Sequence, residues 1–265
     1  MRWLVVLLLW VRGAGATFAV VTDWGRGGLA QRQAVGAALR ARNVSFVVSV
    51  GDNFFPRGIL RPGEPAVMEW ETAYAPRVPW YFALGTADHA GSTQAQLDLA
   101  QIFTHWNMPA LYYDVERDGT HLFVLDTDPW VRADDPVQEA WLRARWGNSS
   151  AAHKIIVGHH PLWTCGPRDQ RDWSDRHMHK VVTSLLEDSW YVSGRKGVSE
   201  QLPTSAYGVH SCLGYFDSER PHSVCVSRFL AVSGDLCGSN LLAMTNRTGF
   251  LLVDGDSLEF VPTHA

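Results

Sequence analysis

An α/β layered fold is predicted by three observations. Short apolar runs rich in β-branched and aromatic residues recur along the chain, longer runs of helical length separate them, and a glycine beside an Asp or His follows several of the short runs. The strand-like runs are residues 18–22, 46–50, 80–84, 121–125, 154–157 and 228–232, apolar enough to be covered on both faces. The helical stretches are 29–42, 66–74, 94–106, 136–146 and 173–190; Pro136 suits a first helical turn, where its missing N–H costs nothing. The tail reads as a hairpin, 249–253 and 257–261, turning at Asp254-Gly255-Asp256. No repeat, low-complexity tract or long linker interrupts the chain, so a single domain over residues 17–265 is the expectation.

Composition narrows the function. At 46% hydrophobic and 19% charged the chain is not of the disordered class. A formal net charge of −4 leaves no basic footprint for nucleic acid, and losing Arg2 and Arg12 with a leader makes the remainder more acidic. The leader is residues 1–16: a positive start, the run Leu4-Val5-Val6-Leu7-Leu8-Leu9-Trp10-Val11, and a small-x-small close at Ala14-Gly15-Ala16. Roughly nine apolar residues cannot cross a hydrocarbon core that needs about twenty, so a cleaved signal is expected and no integral membrane segment. The route would be secretory, to the exterior or a lysosomal or vacuolar compartment. Acceptor triplets at Asn43, Asn148 and Asn246 agree with it, as do four cysteines, Cys165, Cys212, Cys225 and Cys237, whose spacing leaves three disulfide connectivities open.

Chemistry is concentrated just past the predicted strands, where ligand-binding residues gather in open α/β sheets. Asp23-Trp24-Gly25 follows the first, Gly51-Asp52-Asn53-Phe54-Phe55 the second, Gly85-Thr86-Ala87-Asp88-His89 the third and Gly158-His159-His160-Pro161 the fifth. Short oxygen and nitrogen donors converging on one point suit a pair of metal ions; a carboxylate between two such ions can bridge them. A histidine pair at His177 and His179 does not share a helix face, and surface positions are expected for both.

These motifs, with Phe18-Ala19-Val20-Val21-Thr22-Asp23, Val78-Pro79-Trp80-Tyr81, Trp106-Asn107-Met108-Pro109, Leu125-Asp126-Thr127 and Ala140-Trp141-Leu142 between them, resemble the calcineurin-like metallophosphoesterases. More narrowly, the chain is similar to the small tartrate-resistant purple acid phosphatases from about Phe18 to Trp163. The resemblance implies a sandwich of two mixed β-sheets flanked by helices, holding a dinuclear centre of iron with iron, zinc or manganese. There a metal-bound hydroxide attacks a phosphate monoester. It also implies that Asp23 binds the first metal, Asp52 bridges both and His159 binds the second.

Several positions depart from that pattern. The family's tyrosinate ligand is Phe55 here, its amide ligand is Thr86, and the imidazole that contacts phosphate is Ala87. The family's last motif, G-H-x-H, falls near Ala206-Tyr207-Gly208-Val209-His210-Ser211-Cys212 in one of two registers. Setting Gly208 on the glycine leaves Val209 and Ser211 in place of both imidazoles. Setting His210 on the first imidazole offers His210 and Cys212 as ligands. His89 and His160 are candidate catalytic or substitute groups. Two functions follow: a phosphatase-like protein with an eroded metal site that binds a protein or glycan, or an acid phosphatase acting on phosphate monoesters through a rearranged mono- or dinuclear centre.

Overall fold

The computed structural model describes residues 17–25, 28–162, 177–186 and 189–194, together with the later strands named below. Residues 1–16, Trp163, Cys165, Cys237 and Asn246 lie outside them. Among the described residues two mixed sheets face each other, as the resemblance implies. In the first, β1 (Thr17–Val21), β2 (Phe46–Val50), β3 (Trp80–Ala83) and β4 (Trp106–Asn107) run parallel. β13 (Gly249–Asp254) and β14 (Ser257–Pro262) add antiparallel strands beyond β1, giving the order β14-β13-β1-β2-β3-β4. The second sheet contains β5 (Tyr113–Arg117), β6 (Thr120–Val124), β7 (His153–Val157), β8 (Trp190–Ser193), β9 (Ser199–Pro203), β10 (Val209–Asp217), β11 (Arg220–Arg228) and β12 (Ala243–Thr245). Its order is β12-β9-β10-β11-β8-β7-β6-β5, with β6, β7 and β8 parallel.

The helices begin where local chemistry permits. α1 (Leu29–Ala41) and α2 (Pro65–Tyr74) connect the strands of the first sheet, and Pro65 opens α2 with its fixed φ. α6 (Pro136–Asn148) starts at an Asp135 cap whose carboxylate accepts from Gln138 N at 2.9 Å. Short turns α3 (Thr86–His89), α4 (Thr93–Asp98) and α5 (Thr127–Trp130) lie close behind strands, and α7 (His177–Thr183) covers the second sheet.

The strands expected from apolar runs are present and buried, β2, β3 and β6 along their whole length. Two helices are shorter than their pattern. The 94–106 stretch stops as α4 at Asp98 and a 3-10 turn at Leu99–Gln101, because Trp106 leaves it to pair with Trp80 across β3 and β4 and to stack on Phe82. Among the described residues of the 173–190 stretch, α7 is helical and Trp190 opens β8 beside Ile155. Of the 228–232 run only Arg228, the end of β11, is described. His177 is exposed and bonded to Glu139, whereas His179 is buried, a correction to the expected surface pair that keeps them on different faces.

The first sheet's core is aromatic. The Trp24 ring sits among Phe54, Trp70, Tyr74, Trp80, Phe82 and Trp106, mostly edge to face at centroid separations of 5.1 to 6.5 Å. Such pairs add about 0.5–1.5 kcal/mol each beyond the burial of their area. This cluster lies directly under the loop that carries Asp23.

Candidate functional site

Because β1, β2 and β3 are mutually parallel, as are β6 and β7, their following loops open on common ends of the two sheets. Those loops carry Asp23, Asp52, residues 86–89, residues 126–128, and His159 with His160. Asp23 and Asp52 both adopt left-handed backbone, φ 50° and 53°, a conformation Asp tolerates better than most residues and one that redirects a side chain sharply at a strand end. Asp23 N donates to Gly51 O at 3.2 Å, joining the first two loops. The third loop can approach only because residue 85 is glycine. A Cβ there would run into the amide and carboxylate of Asp52 and the ring of His159.

Asp52 accepts from Ala87 N at 2.8 Å, and its Oδ1 lies 3.5 Å from His159 Nε2. The His159 ring is fully buried. Its Nδ1 is 2.9 Å from the carbonyl of Val50, which can only accept, so Nδ1 carries the proton. Its Nε2 faces a carboxylate oxygen of Asp52 and has no hydrogen-bond partner. Two acceptors facing each other inside a protein require a proton or a cation between them. Asp23 is also wholly buried and accepts from the Thr22 hydroxyl at 2.9 Å.

The neighbouring positions supply little more. Phe55 is half-buried and offers carbon. The Thr86 hydroxyl donates to Asp128 at 2.7 Å, while Asp128 also meets Arg132 at 2.6 Å. His160 is fully buried, and Thr127 fixes its orientation. That hydroxyl accepts from the amides of His159 and His160, both at 3.2 Å, so its own proton goes to His160 Nδ1 at 2.9 Å. His89 is partly open to solvent and bonds Asp126 at 2.7 Å. Burial works to lower its pKa, but the hydrogen bond and charge of Asp126, backed by Asp128 and Asp88, win and raise it above the ordinary histidine value. His210 and Cys212 lie in β10, in register with Ser227 and Cys225 of β11.

Beneath these groups is a framework that sequence reading left without roles. The fully buried Asp88 carboxylate accepts from the amides of Asn53, Phe54 and Gly85 at 3.0, 3.1 and 2.8 Å and from the Gln96 side chain at 2.9 Å. Burial and the charge of Asp52 push its pKa up against those four donors, and the net direction is upward. Asn53 accepts from the Trp24 indole at 3.1 Å and donates to Ala83 O at 2.9 Å. Asp126 and Asp128 follow a buried strand as Asp52 does, but without the neighbouring glycine that marked Asp52.

Among the described residues no group of three or more His, Cys, Asp or Glu is arranged to hold a metal ion. Asp52 and His159 suit one side of a single divalent ion, with the orphaned Nε2 as donor. They do not make the ligand set of a dinuclear centre.

Comparison with known proteins agrees with this architecture. No protein-family model matches the chain. Purple acid phosphatase 4 of Arabidopsis thaliana is 29% identical over 222 residues, 71% of this chain and 64% of the relative. Tartrate-resistant acid phosphatase type 5 of Oryctolagus cuniculus is 25% identical over 197 residues, 60% of this chain and 61% of the relative. The chain is thus similar in sequence to purple and tartrate-resistant acid phosphatases, which are calcineurin-like metallophosphoesterases. It spans about three fifths of the length of the tartrate-resistant relatives it matches. Two solved metallophosphoesterase-like structures show the fold. The protein described as "GAP50 the anchor in the inner membrane complex of Plasmodium" has TM-score 0.64 at 20% identity, covering 94% of this chain and 85% of its own. Purple acid phosphatase PPD1 from yellow lupin (Lupinus luteus) seeds has TM-score 0.58 at 11% identity, covering 93% and 51%.

Proposed function

We propose that this chain is a secreted purple-acid-phosphatase-like protein whose dinuclear centre has eroded, so that it hydrolyses phosphate monoesters weakly or not at all and serves to bind a protein or glycan. The observation that carries this reading is the fate of the donor positions. Carbon stands at Phe55 and Ala87, the Thr86 hydroxyl is engaged by Asp128, and the Asp52–His159 pair is left as a remnant. A metallophosphoesterase fold also serves the Plasmodium protein described as an anchor, which supports a use of the fold other than hydrolysis. The reading includes a cleaved leader over residues 1–16, one phosphoesterase-like domain over 17–265, and glycans on Asn43, Asn148 and Asn246. Asn43 and Asn148 are both exposed at helix ends, as acceptors must be.

The orphaned Nε2 of His159 favours a second reading, an active acid phosphatase in which Asp52 and His159 hold one iron, zinc or manganese ion and His89, His210 or Cys212 substitutes for lost ligands. When bound, such an ion would polarise a phosphate monoester and acidify water. Elemental mass spectrometry of the mature protein, purified without chelator, separates the two readings. Metal well below one ion per chain supports erosion; one ion or more per chain overturns it. Iron loading of Phe55→Tyr adds a spectroscopic check. A visible charge-transfer band should appear in the variant and be absent from the wild type, and a band in the wild type would contradict the loss of the tyrosinate position.

A further inference from the structure

At the end of the first sheet opposite the metal-site loops lies a cavity of about 200 Å³. It opens between the C-terminal turns of α1 and α2 and the first residues of β2 and β3. Leu39, Val44, Val47, Val78 and Trp80 form its apolar walls, and Arg40, Arg77 and Asn43 supply its polar groups. Val47 and Trp80 stand at the starts of strands whose far ends lead to Asp52 and Gly85, so a strand length of about 16 Å separates the cavity from those loops.

Its electrostatics are one-sided, since no carboxylate lines it. Two helices end here, and their terminal carbonyls would ordinarily account for nearby arginines. Three of those carbonyls have partners already. Arg40 donates to Tyr74 O, Arg42 N to Leu39 O and Ala75 N to Glu71 O. Arg77 is exposed, and among the described residues no hydrogen bond or ion pair engages its guanidinium. A cavity of this size is small for a drug-like molecule and right for one or two fused rings.

We infer that this cavity is a second binding site, for a small anion with a flat apolar body, such as an aromatic carboxylate or sulfonate, whose charge is met by Arg77 and whose ring enters between Val44, Val78 and Trp80. Apolar walls supply the affinity, and the uncommitted guanidinium, a planar donor fork, selects a planar oxyanion. The site is independent of the metal loops and of any phosphatase activity.

The test uses the full secreted chain carrying Ser45→Ala, because a sugar on Asn43 would stand at the cavity mouth and this change removes the acceptor triplet while leaving the Asn43 amide in place. Binding of 2-naphthalenesulfonate is followed by ligand-observed NMR beside the neutral 2-naphthylmethanol, with and without EDTA. The sulfonate should bind at least about fivefold more tightly than the alcohol, and Arg77→Ala should remove that preference while Arg77→Lys keeps part of it. Because Arg77 is exposed and unengaged, its loss leaves folding intact. Val78→Trp, which fills the cavity, should abolish binding of both probes. No binding to the Ser45→Ala chain, equal binding of the two probes, indifference to Arg77→Ala, or loss of binding with EDTA would each overturn the assignment.

Discussion

The two ends of the first sheet carry opposite charge and handle it differently. At the strand C-termini, Asp23, Asp52 and Asp88 are buried, with Asp126 and Asp128 close behind, and their oxygens are turned largely to backbone amides and local hydroxyls. At the strand N-termini, Arg40 and Arg77 border an apolar cavity with no acid in its lining. The acidic end holds a phosphate only if cations stand between ligand and carboxylates; the basic end holds an anion directly. On the proposed reading, the loop architecture of a phosphoesterase persists at one end, because it is made of backbone hydrogen bonds, after the donors for metal chemistry have changed.

The largest test of this contrast is turnover. With iron, zinc or manganese supplied, hydrolysis of p-nitrophenyl phosphate by the wild type should fall at least about 10²-fold below that of an intact purple acid phosphatase, since a single lost preorganised group typically costs that much. Ordinary turnover would restore the acidic end as a working site. Next is the framework beneath it. Asp88→Ala strips the acceptor from three buried amides and should destabilise the protein by about 3 kcal/mol in denaturant unfolding. Asp88→Asn sharpens the comparison, because it keeps the shape and removes the repulsion from Asp52; a variant more stable than wild type would show that charge crowding outweighs the four hydrogen bonds.

Gly85→Ala should cost about 2 kcal/mol, because its Cβ meets backbone and buried carboxylate rather than a flexible chain end. An unchanged midpoint would mean that the loops after β2 and β3 are farther apart than described. The smallest effect belongs to His89. Its folded-state pKa is raised, so the stability it contributes is fully present below the unfolded value of 6.5 and is lost as pH rises through the higher folded value. His89→Gln should therefore lower stability by about 1 kcal/mol at pH 5.5 and by less at pH 8.5. A loss that grows with pH would exclude the Asp126 pairing as its cause.

The legible part of the molecule was the part written in short-range pattern. β1, β2, β3, β6 and β7 announced themselves as apolar runs, α1, α2 and α6 through their length and, for α2 and α6, an N-terminal proline, and the ligand loops as glycine beside Asp or His. What the pattern hid was decided by distant partners. Trp106 reads as the end of a helix until Trp80 and Phe82 offer it a sheet edge and a stacking face. β5 is only half covered, with Glu116 and Arg117 exposed, so no buried run marks it. At the site, Asp23, Asp52 and His159 were readable because each follows a strand. Asp88 was harder to read because its role, tying four donors from three segments, exists only once β2, β3 and α4 are assembled.

The aromatic cluster beneath Asp23 has an optical consequence. Trp24, Trp70, Trp80 and Trp106 lie close enough for their excited states to couple, and Trp24 is covalently adjacent to Asp23, a metal ligand on the family resemblance. The native sheet should therefore give intense near-ultraviolet circular dichroism that vanishes on melting. A paramagnetic ion such as Mn²⁺ arriving at Asp23 and Asp52 would quench the emission of that cluster, so the protein would carry its own lamp for reporting whether those loops are filled.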